Sequence, residues 1–379
     1  MTTQFTQTPS SLYHKAIFSF FLLTCCLLIS CKQPLNSKEN TLYDPTKTPH
    51  LTLTNDLEAV FLSEADARQA IILDSMTAFF RGITPTDIAL QINDSDLLDA
   101  DSTTLQQQYK SYLQANVRPF SQREQLLVYH TFQKIITALD GKNMGLPRAI
   151  YCLKTTGEGY GEQTYYTRNG CIILPEPALN AALNGDTTHF EYVLSHELFH
   201  LISRYNPALK LKLYRQIGFD TIHNLLIENE LLRNRLIENP DGMQHATIKL
   251  NDTTHGILLC YSRSPDFKLG ANNFHAHFKW GMFQLKKTRL NTWRVVADSL
   301  GESTLSNTWE VPFFRKVGTN TDYLIHPDEI LADNFALLLR YRKNKPLTTD
   351  LDASGIVLLQ HLERIIFAPE PPKKTSKTH

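Results

Sequence analysis

The sequence HELFH at positions 196–200 constrains this chain more than any other feature. Its two histidines are four residues apart, so on a helix both imidazoles project from one face and the glutamate lies beside them. The flanking residues 193–194 and 201–202 are apolar, which predicts that the helix is buried. The motif therefore predicts the position, the orientation and the burial of one helix together.

The residue types of this motif suit a zinc ion. The neutral imidazole nitrogens of His196 and His200 are favoured zinc ligands, and the carboxylate of Glu197 can take a proton from water without occupying a coordination position. The composition of the chain predicts on the order of 0.03 accidental matches to the motif, so we expect a metal site rather than two unrelated histidines.

A catalytic zinc ion needs a third protein ligand besides water. Far downstream, Glu329 and Asp333 lie four residues apart on a predicted helix that is otherwise strongly apolar. Buried carboxylates are costly unless a cation or hydrogen bonds compensate them. A zinc ion would supply that compensation, so Glu329 is the first candidate for the third ligand.

The two segments together resemble the gluzincin metallopeptidases, the thermolysin-like clan, which combine HExxH with ExxxD on a second helix. The resemblance implies a zincin-like domain in which Glu329 is the third zinc ligand and Asp333 orients a ligand histidine, expected to be His196. It also implies that Glu197 is the general base. It covers only these two segments, and many more residues separate them here than in many members of that clan.

Other acidic residues remain alternatives for the third ligand. The segment 318–322 resembles the GTxxD start of the aspzincin pattern, which would make Asp322 the ligand, although the Tyr-Gly expected downstream is missing. Glu228 and Glu230 lie at a more usual distance from HELFH. Their segment is highly charged, however, and has the spacing of a solvated helix face.

Peptide hydrolysis also needs a hydrogen-bond donor for the developing oxyanion. Tyr323 and His326 immediately precede the second motif and are the nearest candidates, although each can equally pack or cap a helix. In HExxH peptidases an edge strand near the active-site helix commonly takes the peptide as an added strand. The predicted strand at 171–174 is placed for this role, and an ordinary core strand fits it equally well.

The N-terminal segment is typical of a bacterial lipoprotein signal. Its apolar run, 17–30, is too short for a membrane-spanning helix, which needs roughly 20 apolar residues. The run ends in LISC at 28–31, which resembles a lipobox and implies cleavage before Cys31 and lipid attachment to its thiol. An uncleaved anchor and an ordinary signal with an incidental cysteine are the alternatives. Lys32 in place of Asp favours the outer membrane over the inner.

The remaining pattern predicts an α+β fold with a small β-sheet and a mainly helical remainder. Apolar spacing predicts helices within 56–139 and at 189–204, 327–342 and 354–367, and strands at 149–153, 164–167, 171–174, 246–250 and 256–261. Asn169-Gly170 predicts a hairpin turn, and Thr188 with Glu191 has the spacing of a capping box. We expect a signal peptide at 1–30, a flexible tether at 31–52, one catalytic domain at 53–367 and a disordered tail at 368–379.

The charge balance argues against a nucleic-acid partner, and the cysteine content bears on a possible disulfide. Lysine plus arginine equals aspartate plus glutamate at 38 each, so the chain has no basic field for nucleic acid. After removal of the signal and lipidation of Cys31, three cysteines remain, Cys152, Cys171 and Cys260. In an oxidising envelope Cys152 and Cys171 could pair, while three buried free thiols are an equally good interpretation.

The sequence thus predicts a zinc-dependent peptidase on the bacterial cell envelope, in which zinc-bound water activated by Glu197 attacks a peptide or protein substrate. Two other interpretations stay open: a non-catalytic metal-binding lipoprotein, and a zinc hydrolase of a non-peptide amide such as a cell-wall bond. A structural zinc site needs no base and usually fills all four positions with Cys or His, so Glu197 favours an enzyme.

Overall fold

The computed structural model of the protein describes residues 48–94, 97–98, 101–160, 164–242, 245–263, 274–289, 292–343 and 351–368. The predicted signal peptide, Cys31 and nearly all of the predicted C-terminal tail lie outside this part of the chain. Within it the fold is mixed α+β, as predicted, with two six-stranded sheets. None of its helices has the length and apolarity required to cross a bilayer.

The first sheet has the order β1-β2-β4-β6-β5, with β3 paired to β4 outside that path. Its strands are β1 His50–Thr54, β2 Leu57–Phe61, β3 Val117–Arg118, β4 Ala149–Thr155, β5 Tyr166–Arg168 and β6 Cys171–Pro175. The central strands β2, β4 and β6 run parallel, and β1, β3 and β5 pair antiparallel with their neighbours. Every residue of β6 is buried, because helices cover both faces of the sheet.

Helices form a layer on each face of this sheet. One face packs on α1 Glu64–Ala70, α2 Phe79–Gly82, α3 Pro85–Ile92 and α4 Ser102–Ala115. The other packs on α5 Gln122–Ala138, α6 Glu176–Leu183, α7 Thr187–Tyr205, α8 Pro207–Gln216, and the late helices α11 Glu310–Val317, α12 Pro327–Lys343 and α13 Ala353–Ile366. The short helices α9 Glu230–Arg235 and α10 Phe274–His277 and a 3-10 turn at Asn307–Trp309 complete the set. The HELFH motif lies on α7, within the larger of the two cores.

The second sheet has the order β7-β9-β10-β11-β12-β8. Its strands are β7 Phe219–Thr221, β8 Leu225–Leu226, β9 Ala246–Lys249, β10 His255–Ser262, β11 Phe278–Lys287 and β12 Trp293–Val296. Along β10, Leu258 packs into the larger core, whereas Ile257 and Leu259 pack into a separate cluster on the opposite face. The expectation of one small sheet with a mainly helical remainder is therefore wrong, because the long segment between the two predicted metal motifs forms a second six-stranded sheet.

Several predicted elements are confirmed. Helices α7, α12 and α13 begin and end within two residues of their predicted bounds, and the predicted strands at 149–153 and 171–174 are β4 and β6. Asn169 and Gly170 form the turn between β5 and β6 with φ of 47° and 82°, the left-handed conformation that this dipeptide favours. Asn206 ends α7 and caps α8, where its Oδ1 accepts the amide of Leu209 at 3.1 Å.

Three local predictions are wrong. Residues 57–61 were expected to be helical but form β2, because parallel pairing with β4 outweighs their helical spacing. The capping box of Thr188 and Glu191 is absent, since α7 already begins at Thr187 and its N-cap residue Asp186 makes no side-chain cap. Strand β1 begins at His50, inside the segment predicted as a tether.

Of the two interpretations of Cys152 and Cys171, the disulfide does not form, and both residues are buried free thiols. In the pairing of β4 with β6, Cys152 lies opposite Ile172. Because side chains alternate between the faces of a sheet, Cys171 points to the face opposite Cys152. The two thiols accordingly belong to different hydrophobic cores.

Candidate metal centre

The contact between α7 and α12 brings His196, His200 and Glu329 together. Nε2 of His196 lies 3.0 Å from Oε2 of Glu329, and Nε2 of His200 lies 3.4 Å from the same oxygen. One ligating atom from each residue falls within 4.8 Å of the other two, and all three side chains are buried. The first and second sequence motifs therefore meet at one point, as the ligand prediction requires.

His196 is held on both sides of its ring. Its Nδ1 lies 2.8 Å from Oδ1 of Asp333, and the other oxygen of Asp333 accepts a hydrogen bond from the Thr321 hydroxyl. A carboxylate on the second ring nitrogen is the usual means of fixing the tautomer of a ligand histidine. Asp333 therefore has the contact expected of an orienting residue, and Thr321 is a supporting residue that the sequence patterns did not reveal.

Glu329 has a further partner from the segment before β9. Nδ2 of Asn239 donates a hydrogen bond of 2.7 Å to Oε1 of Glu329, which leaves Oε2 facing the two histidines. Burial raises the pKa of Glu329, but His200 and His196 outweigh that effect and hold it well below the usual range. The carboxylate is therefore ionised, as a ligand must be.

Several buried polar atoms at this point make no hydrogen bond within the described residues. Nδ1 of His200 and Oε2 of Glu197 have no such bond, and Nε2 of His200 has only the 3.4 Å contact with Oε2 of Glu329. Leaving such an atom unsatisfied costs about 1–3 kcal/mol. Two imidazoles and one carboxylate are also the ligand set of many catalytic zinc sites. The residues present therefore fit a zinc ion held by His196, His200 and Glu329.

Glu197 lies beside these ligands rather than among them. Its side chain is buried, and burial, followed by the nearby charge of Asp241, raises the pKa of Glu197 to about 8 in the metal-free protein. A carboxyl group with a raised pKa close to a metal position is suited to exchange protons with a bound substrate.

Asp241 is a second acidic residue at this point, and sequence reasoning missed it. A carboxylate oxygen of Asp241 lies within 4.8 Å of ligating atoms of Glu197 and His200. Its Oδ1 accepts the amide of Thr167 at 2.6 Å and also the hydroxyl of the same residue. Burial is the main cause that raises the pKa of Asp241 above its usual range.

The segment 239–242, Asn-Pro-Asp-Gly, carries both Asn239 and Asp241 into the site. Gly242 lies against the ring of His326, where a Cβ atom would stand 2.2 Å from Nδ1, so only glycine fits there. An Asn-Pro-Asp-Gly run is a strong turn signal, and its position between the two metal motifs was the available indication. Nothing in its spacing, however, specifies where the turn would dock.

The other predicted ligands lie elsewhere. Asp322 is exposed and stands outside the cluster of ligating atoms. Glu228 is exposed and forms an ion pair of 3.3 Å with Arg294, and Glu230 is exposed in the first turn of α9. Among the described residues, Glu329 is the one of these candidates that the fold brings to His196 and His200.

The two predicted oxyanion donors have different surroundings. The Tyr323 ring centroid is 6.1 Å from that of His196, and its side chain lines a cavity together with Asp241. His326 is buried, its Nδ1 accepts the amide of Asp328 at 3.1 Å, and its ring packs on Tyr214. His326 thus has contacts of a residue that starts α12, and Tyr323 is the one that faces open space.

Of the two interpretations of residues 171–174, the ordinary core strand is confirmed and the peptide-binding edge strand is wrong. β6 is hydrogen-bonded to β4 on one side and to β5 on the other, so it has no free edge. The edge strand on this side is β5. Its Thr167 amide points away from the sheet toward Asp241.

Comparisons of the chain with protein-family models, with curated proteins and with solved structures find no match. Function must therefore be inferred from the side chains where α7 and α12 meet.

Proposed function

We propose that the protein is a zinc-dependent peptidase with a zincin-like catalytic domain. The observation that carries this proposal is the meeting of two imidazoles and one carboxylate at a buried point, with the carboxylate of Glu197 alongside and its Oε2 without a hydrogen bond. A site that bound zinc only for structure would have no use for this second carboxylate.

The chain's own residues divide the work of hydrolysis. Zinc, when bound, supplies Lewis-acid chemistry that polarises the peptide carbonyl and acidifies water. Glu197 takes a proton from the attacking water and returns it to the leaving amine. Asp333 and Asn239 hold His196 and Glu329 in place, and Tyr323 faces the cavity from which it can donate to the oxyanion.

The test separates metal binding from catalysis. Glu197→Gln is expected to retain zinc and the fold while lowering peptide cleavage by about 10²- to 10⁴-fold, because it removes the base but no ligand. Glu191→Gln on the same helix is the matched control, since Glu191 faces Lys343 at the surface and should keep full activity. Cleavage of a mixed peptide library, measured by mass spectrometry, avoids choosing a substrate in advance.

Three outcomes would contradict the proposal. Cleavage that survives chelation, or equal cleavage by Glu197→Gln, would exclude the mechanism. A zinc-loaded wild type that cleaves no peptide would favour a non-catalytic metal-binding lipoprotein or a hydrolase of cell-wall amides. Incubation of the same sample with cell-wall fragments distinguishes these two, because only the hydrolase would release products.

We also propose that the domain is tethered to the cell envelope, in the outer membrane, through lipidated Cys31. The support is the lipobox-like LISC sequence at 28–31 and the lysine that follows it. A fatty-acid probe should label the wild type and not Cys31→Ser, and only the wild type should partition into detergent. Equal labelling of the two would contradict the anchor.

A further inference from the structure

A cleft of about 730 Å³ includes His200 of the candidate metal centre and Asp241 in its lining. Arg81, Arg204 and Lys210 also line it, and these three cations outnumber its two carboxylates, Asp241 and Asp328. The cleft therefore connects the predicted reacting centre directly to a region of positive charge.

Arg204 occupies a defined position in this cleft. It follows His200 by four residues on α7, so it projects from the same face of the helix as the two histidines, one turn further along. Its Nη1 is buried and has no hydrogen-bond partner among the described residues, and its Nη2 is 3.4 Å from the carbonyl oxygen of Pro240. A guanidinium group with an unused donor inside a cleft is suited to an anionic ligand.

The carboxylates of the cleft are already engaged by other groups. Asp328 accepts hydrogen bonds from Lys210 at 2.8 Å and from Ser203 at 2.7 Å, which neutralises Lys210. Oδ1 of Asp241 is held by Thr167, and the nearby charge of Arg204 partly offsets the burial that raises the pKa of Asp241. In the described part of the chain, neither Arg81 nor Arg204 forms an ion pair, and the three lysine and arginine side chains of the lining exceed its two carboxylates by one positive charge.

Hydrogen bonds fix the segment of the cleft that carries Arg81. Asp74 accepts the amides of Phe79 at 2.8 Å and Phe80 at 2.9 Å, which fixes the start of α2. The preceding loop is tied to the turn between β5 and β6, because Oδ1 of Asn169 accepts the amides of Ser75 at 3.0 Å and Met76 at 3.2 Å. The position of Arg81 at the rim is therefore set by structure rather than by a loose surface loop.

The opposite side of Asp241 has a different character. The cavity there is lined by aromatic rings, among them Tyr166, Phe278 and Tyr323, together with the carboxylates of Glu238 and Asp241. No lysine or arginine occurs among the described residues of that lining. The two sides of the reacting centre thus differ in charge, which gives a bound peptide a preferred direction.

We propose that the basic cleft binds a carboxylate of the substrate at Arg204, assisted by Arg81, and that the enzyme selects peptides with that carboxylate close to the scissile bond. This inference rests on the proposed peptidase function. One helical turn of about 5.4 Å separates His200 from Arg204, and one residue of extended peptide spans about 3.3 Å. The carboxylate therefore lies one or two residues beyond the cleaved bond, on the C-terminal residue or on an acidic side chain.

Binding to the zinc-loaded Glu197→Gln variant tests the inference without turnover. A fluorescent peptide with a free C-terminal carboxylate should bind about tenfold or more tightly than its C-terminal amide, because only the acid forms a charge-assisted pair. Arg204→Gln should remove this difference while leaving affinity for the amide unchanged. Arg215→Gln is the matched control, since Arg215 pairs with Asp220 at the surface and its loss should preserve the difference.

Two further peptides identify the source of the carboxylate, and a second variant keeps the test usable if the first does not fold. An amidated peptide with a glutamate near its end that binds as tightly as the acid would assign the cleft to side-chain carboxylates, and its glutamine analogue should bind weakly. If Arg204→Gln does not fold, Arg81→Gln should still reduce the preference several-fold, because it removes one of the two cations at an exposed position.

The outcomes separate the two proposals. Equal binding of all acids and amides by the zinc-loaded protein would overturn the carboxylate site, and cleavage without any such preference would overturn it while leaving the peptidase proposal intact. Carboxylate-dependent binding that needs Arg204, in a wild type that cleaves nothing, would support the site and contradict the peptidase function.

Discussion

Two buried polar regions of this protein differ in how their charges are balanced. In the first, Lys154 of β4 reaches Glu124 of α5 at 2.8 Å and Glu176 of α6 at 2.6 Å. Oε2 of Glu124 also accepts the amide of Ser121 at 2.6 Å within a capping box. This region supplies its own cation and its own hydrogen bonds, which is the condition for burying charge at little cost.

The second region, where α7 meets α12, contains four carboxylates and no lysine or arginine paired with them. Glu197, Asp241, Glu329 and Asp333 gather around two histidines, and none of the ion pairs of the described residues joins them to a lysine or arginine. Four acids carry more negative charge than two histidines can balance, and buried charge that is not balanced is unfavourable, so this region is suited to a positive charge from outside the chain. The contrast supports the proposal that the second region is a metal site.

The pKa values of the two regions differ in the same way. In the first, burial opposes ionisation, but the Lys154 ammonium and the Ser121 amide hold the pKa of Glu124 below its usual value. In the second, burial and neighbouring carboxylates raise the pKa values of Glu197 and Asp241. The charges of the first region are balanced by groups of the protein itself. In the second region the raised pKa values favour bound protons, which a metal ion would displace on binding.

The largest expected difference between the regions is in metal content. Purified wild-type protein should carry one zinc ion per chain, and Glu329→Ala, His196→Ala or His200→Ala should carry almost none, because each removes a ligand. Glu176→Gln, which changes an acid of the Lys154 region, should retain full zinc. Elemental analysis measures the result. If Asp322→Ala emptied the site while Glu329→Ala left it full, the third ligand would be Asp322 instead.

The free energy of unfolding should also distinguish the two regions. Zinc at a thousand times its Kd should stabilise the wild type by about 4 kcal/mol, because it binds only the native protein. Lys154→Met should destabilise the protein by about 3–5 kcal/mol with or without zinc, since it leaves Glu124 buried and unpaired. The two effects should add, as the sites share no side chain. A Lys154→Met protein that lost its response to zinc would show that the regions are coupled.

A smaller change is expected from the residue that only orients a ligand. Asp333→Asn should weaken zinc binding by about 10- to 100-fold, because the amide still contacts His196 but no longer fixes its charge and tautomer. Competition with a coloured chelator measures the affinity. Lys343→Gln is the control on the same helix, since Lys343 is exposed and pairs with Glu191 at 3.1 Å. An Asp333→Asn variant with unchanged affinity would contradict the orienting role.

The sequence was sufficient for the parts of the site that have helical periodicity. His196 with His200, and Glu329 with Asp333, are each four residues apart, so their spacing on a helix fixes which face they share. Burial of α7 and α12 followed from their apolar neighbours. Pairing of the two helices could be inferred only because the first motif lacked a third ligand and the second offered an acid.

The remaining part of the site depends on long-range docking. Asn239 and Asp241 reach the centre because their turn packs against His326 and the edge strand β5, contacts that no local pattern encodes. The second sheet was predicted only in part. The strands predicted at 246–250 and 256–261 are β9 and β10, whereas β7, β8 and β12 are four residues or fewer in length, too short to show an alternating pattern, and gain their conformation from neighbours.

The last and smallest expected difference between the regions is in pH dependence near neutrality. Burial lowers the pKa of His196, but its hydrogen bonds to Asp333 and Glu329 outweigh burial and raise the pKa well above 6.5, which favours a proton on this ring when no metal is bound. A raised histidine pKa stabilises the fold fully below the unfolded value of 6.5, and this stabilisation is lost as pH rises through the folded pKa.

Zinc must displace the proton of His196, so its affinity should rise about tenfold per pH unit for each proton released. Titrations from about pH 6 to about pH 8, where histidines exchange their protons, should show this slope, and Asp333→Asn should flatten it. The Lys154 region should contribute nothing over the same window, because the lowered pKa of Glu124 confines its loss of stability to pH values below about 4.5. Zinc affinity that did not change across the window would contradict a protonated His196 in the metal-free protein.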